Sequence, residues 1–305
     1  MKTRQFLVCF FASAVLPLLA VDIDEQNIGS EKIDLPAKRT PFSLDVHADG
    51  VTPAKINNKG FSKGDKVRYA EAEAELGAVV YFCPTYTEGI RVSAAYTPTL
   101  LKWESNPWFD QKRFNLAKFS VTGFSKRLDN WFWRTQLTAN FDSEKWSCKY
   151  TSYDLLLWGR YEVYKNIGLH IGFLAQTGLK MDRIYPIFGF DWQISRKLKL
   201  SLVFPMNLSF TYAINKKWSV GAAGRFFSPR FRVHHNDHSH KPLVRYTTMG
   251  AECIIQYETE TMSANVHVGS TLGGHVRVAN VNNDHARHYY LDSAFYAGAA
   301  ANLKF

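Results

Sequence analysis

The stretch from Val67 to Phe82, VRYAEAEAELGAVVYF, decides the fold, because its side chains change character at every second residue. Small or apolar residues occupy the even positions from 70 to 82, and glutamates occupy 71, 73 and 75. Successive residues of a strand point to opposite faces, whereas a helix would spread these glutamates around its circumference. The stretch is therefore predicted to be a β-strand with one apolar and one polar face.

The same period of two recurs along the chain. It is clear in FSLDVHA (42 to 48), WFWRTQLTANF (131 to 141), YDLLLWGRYEVY (153 to 164) and IGLHIGFLAQT (167 to 177), and it continues to SAFYAGAAANLKF at the C-terminus. We count about fourteen such segments, an even number of the kind that single-chain outer-membrane barrels prefer.

The connections between these segments alternate between two lengths. Tight turns are predicted at Pro84 to Glu88, Leu128 to Asn130, Lys165 to Asn166, Ser195 to Lys197, Asn215 to Lys217 and Glu258 to Thr261. Longer polar connections are predicted at 50–66, 104–112, 142–148, 178–183, 229–242 and 273–288. Only Pro205 and Met206 separate two further segments, which indicates either a very short loop or a miscounted hairpin. Membrane barrels have tight turns at one end and longer loops at the other.

Composition narrows the classes of protein. The 305 residues are 21% charged and 15% aromatic, and no apolar run of about 20 residues occurs outside the N-terminus, which argues against a helical membrane protein. The formal net charge of +10 admits nucleic acid or an anionic membrane as a partner. Because the basic residues are spread over turns, as at Arg196 and Lys217, we expect contact with lipid headgroups and no binding of nucleic acid.

Alternation alone does not separate a soluble sandwich from a membrane barrel, because the apolar face could pack inside or face lipid. About fourteen strands would make an unusually large sandwich. The fold class predicted is all-β: a closed antiparallel transmembrane β-barrel of about 12–14 strands, formed by residues 41–305. A β-structure in hydrocarbon must close to satisfy its backbone polar groups.

The N-terminus has the layout of a secretory signal peptide. Lys2 and Arg4 precede an uncharged run from Phe6 to Ala20, and acidic residues follow directly. Residues 1–20 are therefore predicted to be a signal peptide and residues 21–40 a flexible periplasmic leader or plug. Export of the chain and a barrel together predict the bacterial outer membrane as its location.

The last strand ends on Phe305, with Leu303 on the same face. This pattern resembles the C-terminal sorting signal of Gram-negative outer-membrane barrels, in which a terminal aromatic residue is read by the barrel insertion machinery. Outer-membrane lipid and that machinery are the partners that the resemblance implies.

The segment from Tyr185 to Phe227 carries a second resemblance. It contains a strand start at Pro186 to Gly189, a leucine-rich strand closing at Pro205, the strand Phe210-Thr211-Tyr212, and Trp218 after a lysine turn. In these features it resembles a family of uncharacterised Gram-negative outer-membrane proteins classed as a domain of unknown function. The resemblance implies a barrel and supplies no activity.

Large aromatic residues stand on the apolar face close to the tight turns. If the turns share one rim, these side chains form a ring at a membrane interface, where amphipathic rings prefer to lie. They are Trp131, Tyr161, Trp192, Tyr212, Trp218 and Tyr257.

The polar face is predicted to line the lumen with opposed charges. These are Glu71, Glu73, Glu75, Arg91, Arg134, Arg160 and Arg225. Such charges can form a transverse field that filters solutes, or salt bridges that close a narrow barrel. The function predicted is a passive or weakly selective conduit for small solutes; the alternative is a closed barrel that acts through its external loops as an adhesin or structural component.

A histidine-rich loop and the cysteines offer further candidates. The loop residues His234, His235, Asp237, His238 and His240 could bind Zn²⁺ or Cu²⁺, although a solvated, pH-sensitive loop is the favoured interpretation. Cys83, Cys148 and Cys253 leave at least one thiol unpaired, and a pairing of Cys83 with Cys148 is a guess. Familiar catalytic and cofactor motifs do not occur, and Ser270 and His267 point to opposite faces by parity, so neither an enzyme nor a cofactor is expected.

Overall fold

The structure is a computed structural model that describes residues 41–57, 65–85, 87–205, 207–234 and 242–305. The predicted signal peptide (1–20) and leader (21–40) lie outside the described residues. Among the described residues, no helix is long and apolar enough to cross a membrane.

The described part of the chain is built from sixteen β-strands and one short 3₁₀ turn, Cys148–Tyr150. The strands are β1 Phe42–Lys55, β2 Lys66–Cys83, β3 Glu88–Trp103, β4 Arg113–Ser125, β5 Trp131–Asp142, β6 Thr151–Tyr164, β7 Ile167–Gly178, β8 Arg183–Gln193, β9 Leu198–Phe204, β10 Asn207–Ala213, β11 Trp218–Phe227, β12 Arg230–Arg232, β13 Leu243–Glu258, β14 Met262–Ala279, β15 Arg287–Leu291 and β16 Phe295–Lys304.

These strands form one antiparallel sheet that closes on itself. Strands β1 to β11 pair in chain order, β1 also pairs with β16, and β11 pairs with β13. The pairing of β13 with β14 completes the ring, because β14 pairs in turn with β16. Apart from the short β12 and β15, fourteen strands make up the barrel, which confirms the predicted fold class.

Tight turns and longer connections alternate around the barrel as predicted, but the connections predicted at 50–66 and 273–288 are shorter than expected, because β1 extends to Lys55 and β14 to Ala279. The tight turns join β2 to β3, β4 to β5, β6 to β7, β8 to β9, β10 to β11 and β13 to β14. Residues Pro205 and Met206 alone connect β9 to β10, so this loop is very short and no hairpin was miscounted. Both chain ends of the barrel lie at the tight-turn end, where Phe42 and Phe305 exchange two backbone hydrogen bonds of 3.0 Å.

The two faces of the barrel differ in chemistry. Large apolar side chains such as Val80 and Val268 are 61% and 62% exposed on the outer surface. Inside, Glu73 and His267 are only 5% and 2% exposed. A soluble barrel buries its apolar face, so this arrangement is the one that a lipid surrounding requires.

The loop end of the barrel is closed by its own strands, which we call the cap. The cap consists of β12, β15 and the outer parts of β13 (243–248) and β14 (274–279). Its Tyr246 stacks on Tyr69 of β2 at 4.6 Å between ring centroids, and its Phe231 stacks on Phe114 of β4 at 4.3 Å. Because β4 is a distant strand of the ring, the cap reaches across the lumen.

The barrel wall next to the cap is shorter than elsewhere, because two of its strands end early on the loop side. Pairing of β8 with β9 ends at Phe188 and Phe204, whereas pairing of β8 with β7 continues to Arg183. On the other side, pairing of β10 with β11 ends at Gly224, whereas β11 continues beside β13 to Phe227. The short β9–β10 hairpin therefore leaves a notch between the outer ends of β8 and β11.

The guessed pairing of Cys83 with Cys148 is wrong. Cys83 ends β2 at the tight-turn end, whereas Cys148 lies in the connection from β5 to β6 at the loop end. All three described cysteines are free thiols, and Cys253 is exposed on the outer surface of β13. Positions at opposite ends of a barrel cannot meet the short Cα separation that a disulfide needs.

Candidate functional site

The lumen contains a cavity of about 1040 Å³ towards the tight-turn end. Its lining combines carboxylates of β1, β2 and β13 with hydroxyl and amide side chains of β10 and β14, among them Asp45, Glu73, Glu252, Ser209 and Asn265. Turn residues, including Arg196 and Lys217, line its rim. The cavity is therefore polar and carries charges of both signs.

One group of ion pairs stands on neighbouring strands near the tight-turn end. The guanidinium of Arg91 lies 2.9 Å from Glu75 and 3.2 Å from Asp45, on β2 and β1. Lys118 of β4 lies 2.5 Å from Glu73, which also accepts a hydrogen bond from Thr97. These contacts follow from strand order, because inward residues of adjacent strands stand side by side.

A second ion-pair network crosses the lumen. Arg225 of β11 lies 2.9 Å from Asp49 of β1 and 2.8 Å from Glu252 of β13. The Nε2 atom of His267 lies 2.6 Å from the same Asp49 carboxylate. Strands β13, β14 and β16 separate β11 from β1 in the ring, so this network joins two parts of the wall.

The wall from β5 to β9 carries a third network beside an apolar cluster. Arg160 and His170 lie 2.8 and 2.5 Å from Asp191, and the indole of Trp158 donates to His170. The neighbouring apolar cluster fills this side of the lumen; it consists of Phe132, Leu156, Trp158, Leu174, Tyr185, Ile187 and Val203. The cavity lies on the opposite side of the lumen, along β8–β11 and β13–β1.

All seven charged residues proposed from the sequence as lumen charges point inwards. Glu71 accepts a hydrogen bond from Tyr69 and lies 3.7 Å from His47, and Arg134 donates to Gln136. The remaining five belong to the three networks described above. Salt bridges thus engage most of these charges, and whether they filter solutes stays a prediction.

Several charged or titratable residues in the lumen were not predicted from the sequence. Asp45, Asp49 and Lys118 complete the networks, as do His170, Asp191, Glu252 and His267. Each stands on the polar parity of its strand, and that parity was the signal that could have found them.

The predicted interface aromatics all lie on the outer surface near tight turns. Trp131 and Tyr161 are cross-strand partners with ring centroids 5.0 Å apart, and Trp218 and Tyr257 are 4.9 Å apart. Trp192 and Tyr212 are 38% and 42% exposed. At the same end, Leu303 is 40% exposed and Phe305 stacks on Phe42. Their roles in membrane placement and sorting stay predictions.

The proposed metal loop is only partly described. Its first residue, His234, lies 2.7 Å from Asp142 through Nε2, and its backbone N–H donates to Gln111. His235, Asp237, His238 and His240 lie outside the described residues. Within the described ranges, no group of three or more potential ligands is arranged to hold a metal ion, so the metal site stays a prediction.

Comparisons with known proteins agree with this architecture. Residues 136–300 match the family described as a domain of unknown function, DUF6268. The chain is 24% identical to an uncharacterised protein of Chlamydia pneumoniae, over 97% of each, and 22% identical to one of Chlamydia trachomatis, over 78% of this chain and 80% of the relative. An outer membrane channel of Pseudomonas putida has the same fold, with a TM-score of 0.50 and 9% identity, over 90% of this chain and 99% of that one.

A closed barrel with an apolar exterior and a polar lumen defines a β-barrel of the outer-membrane class. The family match covers more than half of the chain. The protein belongs to the DUF6268 family.

Proposed function

We propose that this protein is an outer-membrane conduit for small polar solutes, passive or weakly selective, whose loop end is closed by the cap in the state described here. The polar cavity of about 1040 Å³ carries the proposal. Well-packed protein interiors leave few voids larger than a water molecule. A barrel that served only as a scaffold would therefore be expected to fill this space with side chains.

The cap is the barrier that such a conduit has to open. Its apolar face packs against β1 to β4 in a cluster that includes Val244, Tyr246 and Phe231, each at most 2% exposed. The cap is attached through β13 and β14 and is not covalently fixed to the wall that it contacts. Its displacement would join the cavity to the loop end.

Single-channel recording on refolded protein in planar bilayers tests the conduit. We expect stepwise conductance from the wild type and a higher open probability from Phe231→Ala combined with Tyr246→Ala, because the double variant removes two ring stacks that hold the cap. The matched control is Phe210→Ala, which removes a phenyl ring from the outer surface, where Phe210 is 45% exposed. No conductance from either the wild type or the double variant contradicts the proposal.

A closed barrel acting through its external loops is the second candidate. The completeness of the cap favours it, since Val244, Val276 and Val278 are 0% exposed. If both the wild type and the cap variant are silent in bilayers, the next measurement is the binding of labelled vesicles that carry the protein to cell surfaces; binding above that of protein-free vesicles supports this candidate.

We further propose that the protein resides in the bacterial outer membrane and is delivered there through Leu303 and Phe305. The ring stack of Phe305 on Phe42 joins the first and last strands at the barrel seam. Deletion of Phe305 is expected to reduce assembly into the outer membrane of cells while leaving folding into pure lipid vesicles largely intact. Equal losses in both assays would assign Phe305 a purely structural role.

A further inference from the structure

The cap carries a row of basic residues across its four strands. Arg230 of β12 pairs with Arg245 of β13, Arg245 pairs with Arg277 of β14, and Arg277 pairs with His288 of β15. Residues directly opposite in a sheet share a face, and like charges so placed repel each other. The row therefore costs stability unless something neutralises it.

Arg245, inside the row, has no hydrogen-bonding partner in the described part of the chain. Its side chain is 1% exposed, and none of its three guanidinium nitrogens makes a hydrogen bond within the described residues. A buried charge without a partner is strongly destabilising. Burial, together with repulsion by Arg183, Arg230 and Arg277, lowers the pKa of Arg245 to about 9, so it remains charged at pH 7.

The surroundings add positive charge rather than neutralising the row. Arg183, at the outer end of β8, is close enough to repel both Arg245 and Arg277, and among the described residues it makes only a 3.4 Å hydrogen bond, to Tyr185. Arg277 donates only to the backbone of Asn283, at 3.4 Å. Arg230 alone has a carboxylate, Asp154 at 2.9 Å. In the part of the chain that the structure describes, three arginines thus converge without a counter-ion.

The notch lies beside this group. Arg183 is exposed at the outer end of β8, which borders the notch, and His288 is exposed at the far end of the row. About 9 to 11 residues of a tilted strand cross the bilayer. Counted from the tight turns, the row therefore lies beyond the membrane-spanning segments, at the level of the outer headgroups and external solution.

We propose that Arg183, Arg245 and Arg277 form a binding site for a phosphoryl group, entered through the notch above the β9–β10 hairpin. Three guanidinium groups around one tetrahedral oxyanion can direct paired N–H donors at its oxygens, and charge-assisted bonds of this kind are the strong ones. The phosphoryl group comes either from an outer-leaflet lipid headgroup or from a solute in the external medium. The site is independent of whether the barrel conducts.

Calorimetric titration of the purified full-length protein in detergent with inorganic phosphate, at constant ionic strength and against chloride, tests the free-solute source. Thermal unfolding in phosphatidylcholine vesicles with and without bisphosphorylated lipid A tests the lipid source. We expect at least one probe to bind or to raise the midpoint of unfolding. Arg245→Met and Arg277→Met are each expected to weaken that effect by about ten-fold or more.

Two further measurements separate binding from a structural role. Without any phosphate, Arg245→Met is expected to unfold at a higher temperature than the wild type, because it removes an uncompensated buried charge. Arg287→Met is the matched control; Arg287 is a cap arginine on β15 that pairs with Val278, on the opposite face from the row, and it should respond to phosphate as the wild type does. No response of the wild type to either probe, or an undiminished response of Arg245→Met, overturns the proposal.

Discussion

At the scale of the residue, Arg225 shows what the lumen charges do for stability. Its guanidinium is 13% exposed and contacts Asp49 and Glu252, which are 3% and 2% exposed. Replacing Arg225 by Met leaves two buried carboxylates without their cation. We expect the free energy of unfolding to fall by about 3–5 kcal/mol, because removing one member of a buried ion pair leaves the other charge buried without compensation.

Urea titration in lipid vesicles, followed by tryptophan fluorescence, measures this loss. Arg127→Met is the control, because Arg127 is exposed in the turn after β4, and a surface change of this kind should stay within about 0.5 kcal/mol. Equal stabilities of the two variants would show that the network across the lumen contributes nothing.

At the scale of the element, Gly274 sets the path of β14 into the cap. The strand leaves β16 after Ser270 and joins β15 at Gly274, with Gly273 at a φ of +92° between them. A Cβ at Gly274 would collide with the backbone oxygen of Thr247. Gly274→Ala should therefore destabilise the cap by about 1–3 kcal/mol and speed amide exchange there. Gly50→Ala, where a Cβ meets nothing within 4 Å, is the control and should leave exchange unchanged.

The cap should also weaken in acid. Burial, then His288 and the arginines Arg245, Arg183 and Arg277, lower the pKa of His275 from its ordinary 6.5 to about 4. Because the pKa of His275 is lower in the folded state than in the unfolded state, His275 binds a proton in the unfolded cap at pH values where it is neutral in the folded cap. The contribution of His275 to the stability of the cap is therefore complete above about pH 6.5 and is lost progressively as the pH falls to about 4.

The pKa of His288 is lowered in the same direction, by burial and by Arg277 and Arg183. Thermal unfolding measured from pH 7 to pH 4 should show a smaller loss for His275→Gln than for the wild type. Parallel pH profiles would mean that His275 does not titrate as its surroundings require.

At the scale of the whole molecule, the ring of aromatics at the tight-turn end predicts the depth of the barrel in the bilayer. A variant that keeps Trp218 as its single tryptophan, 46% exposed on the outer surface, should be quenched more by lipids brominated near the headgroup than by lipids brominated near the chain end. A variant that keeps only Trp158, 1% exposed inside the lumen, should respond to neither. Strong quenching of Trp158 would contradict the arrangement of the two faces.

The barrel itself was predictable because its signals are local. Glu73 and Leu76 differ in parity along one strand, and parity decides the face whatever the partner strand is. Tight turns such as Lys165 to Asn166 likewise depend on neighbouring residues only. Ion-pair partners such as Arg225 and Asp49 were not predictable, because their contact depends on how the sheet closes over 176 residues of sequence separation.

The sequence by itself determined an alternating, even-stranded barrel with its charges on one face, since a period of two is a property of each strand alone. Only the tertiary structure decided that the cap crosses the mouth of the barrel, and that Arg245 lies between two other arginines. Register and sheet bending arise from pairings between segments that are distant in the sequence. The residue pattern of a single strand does not show whether one of its faces contacts the lumen, lipid or the cap.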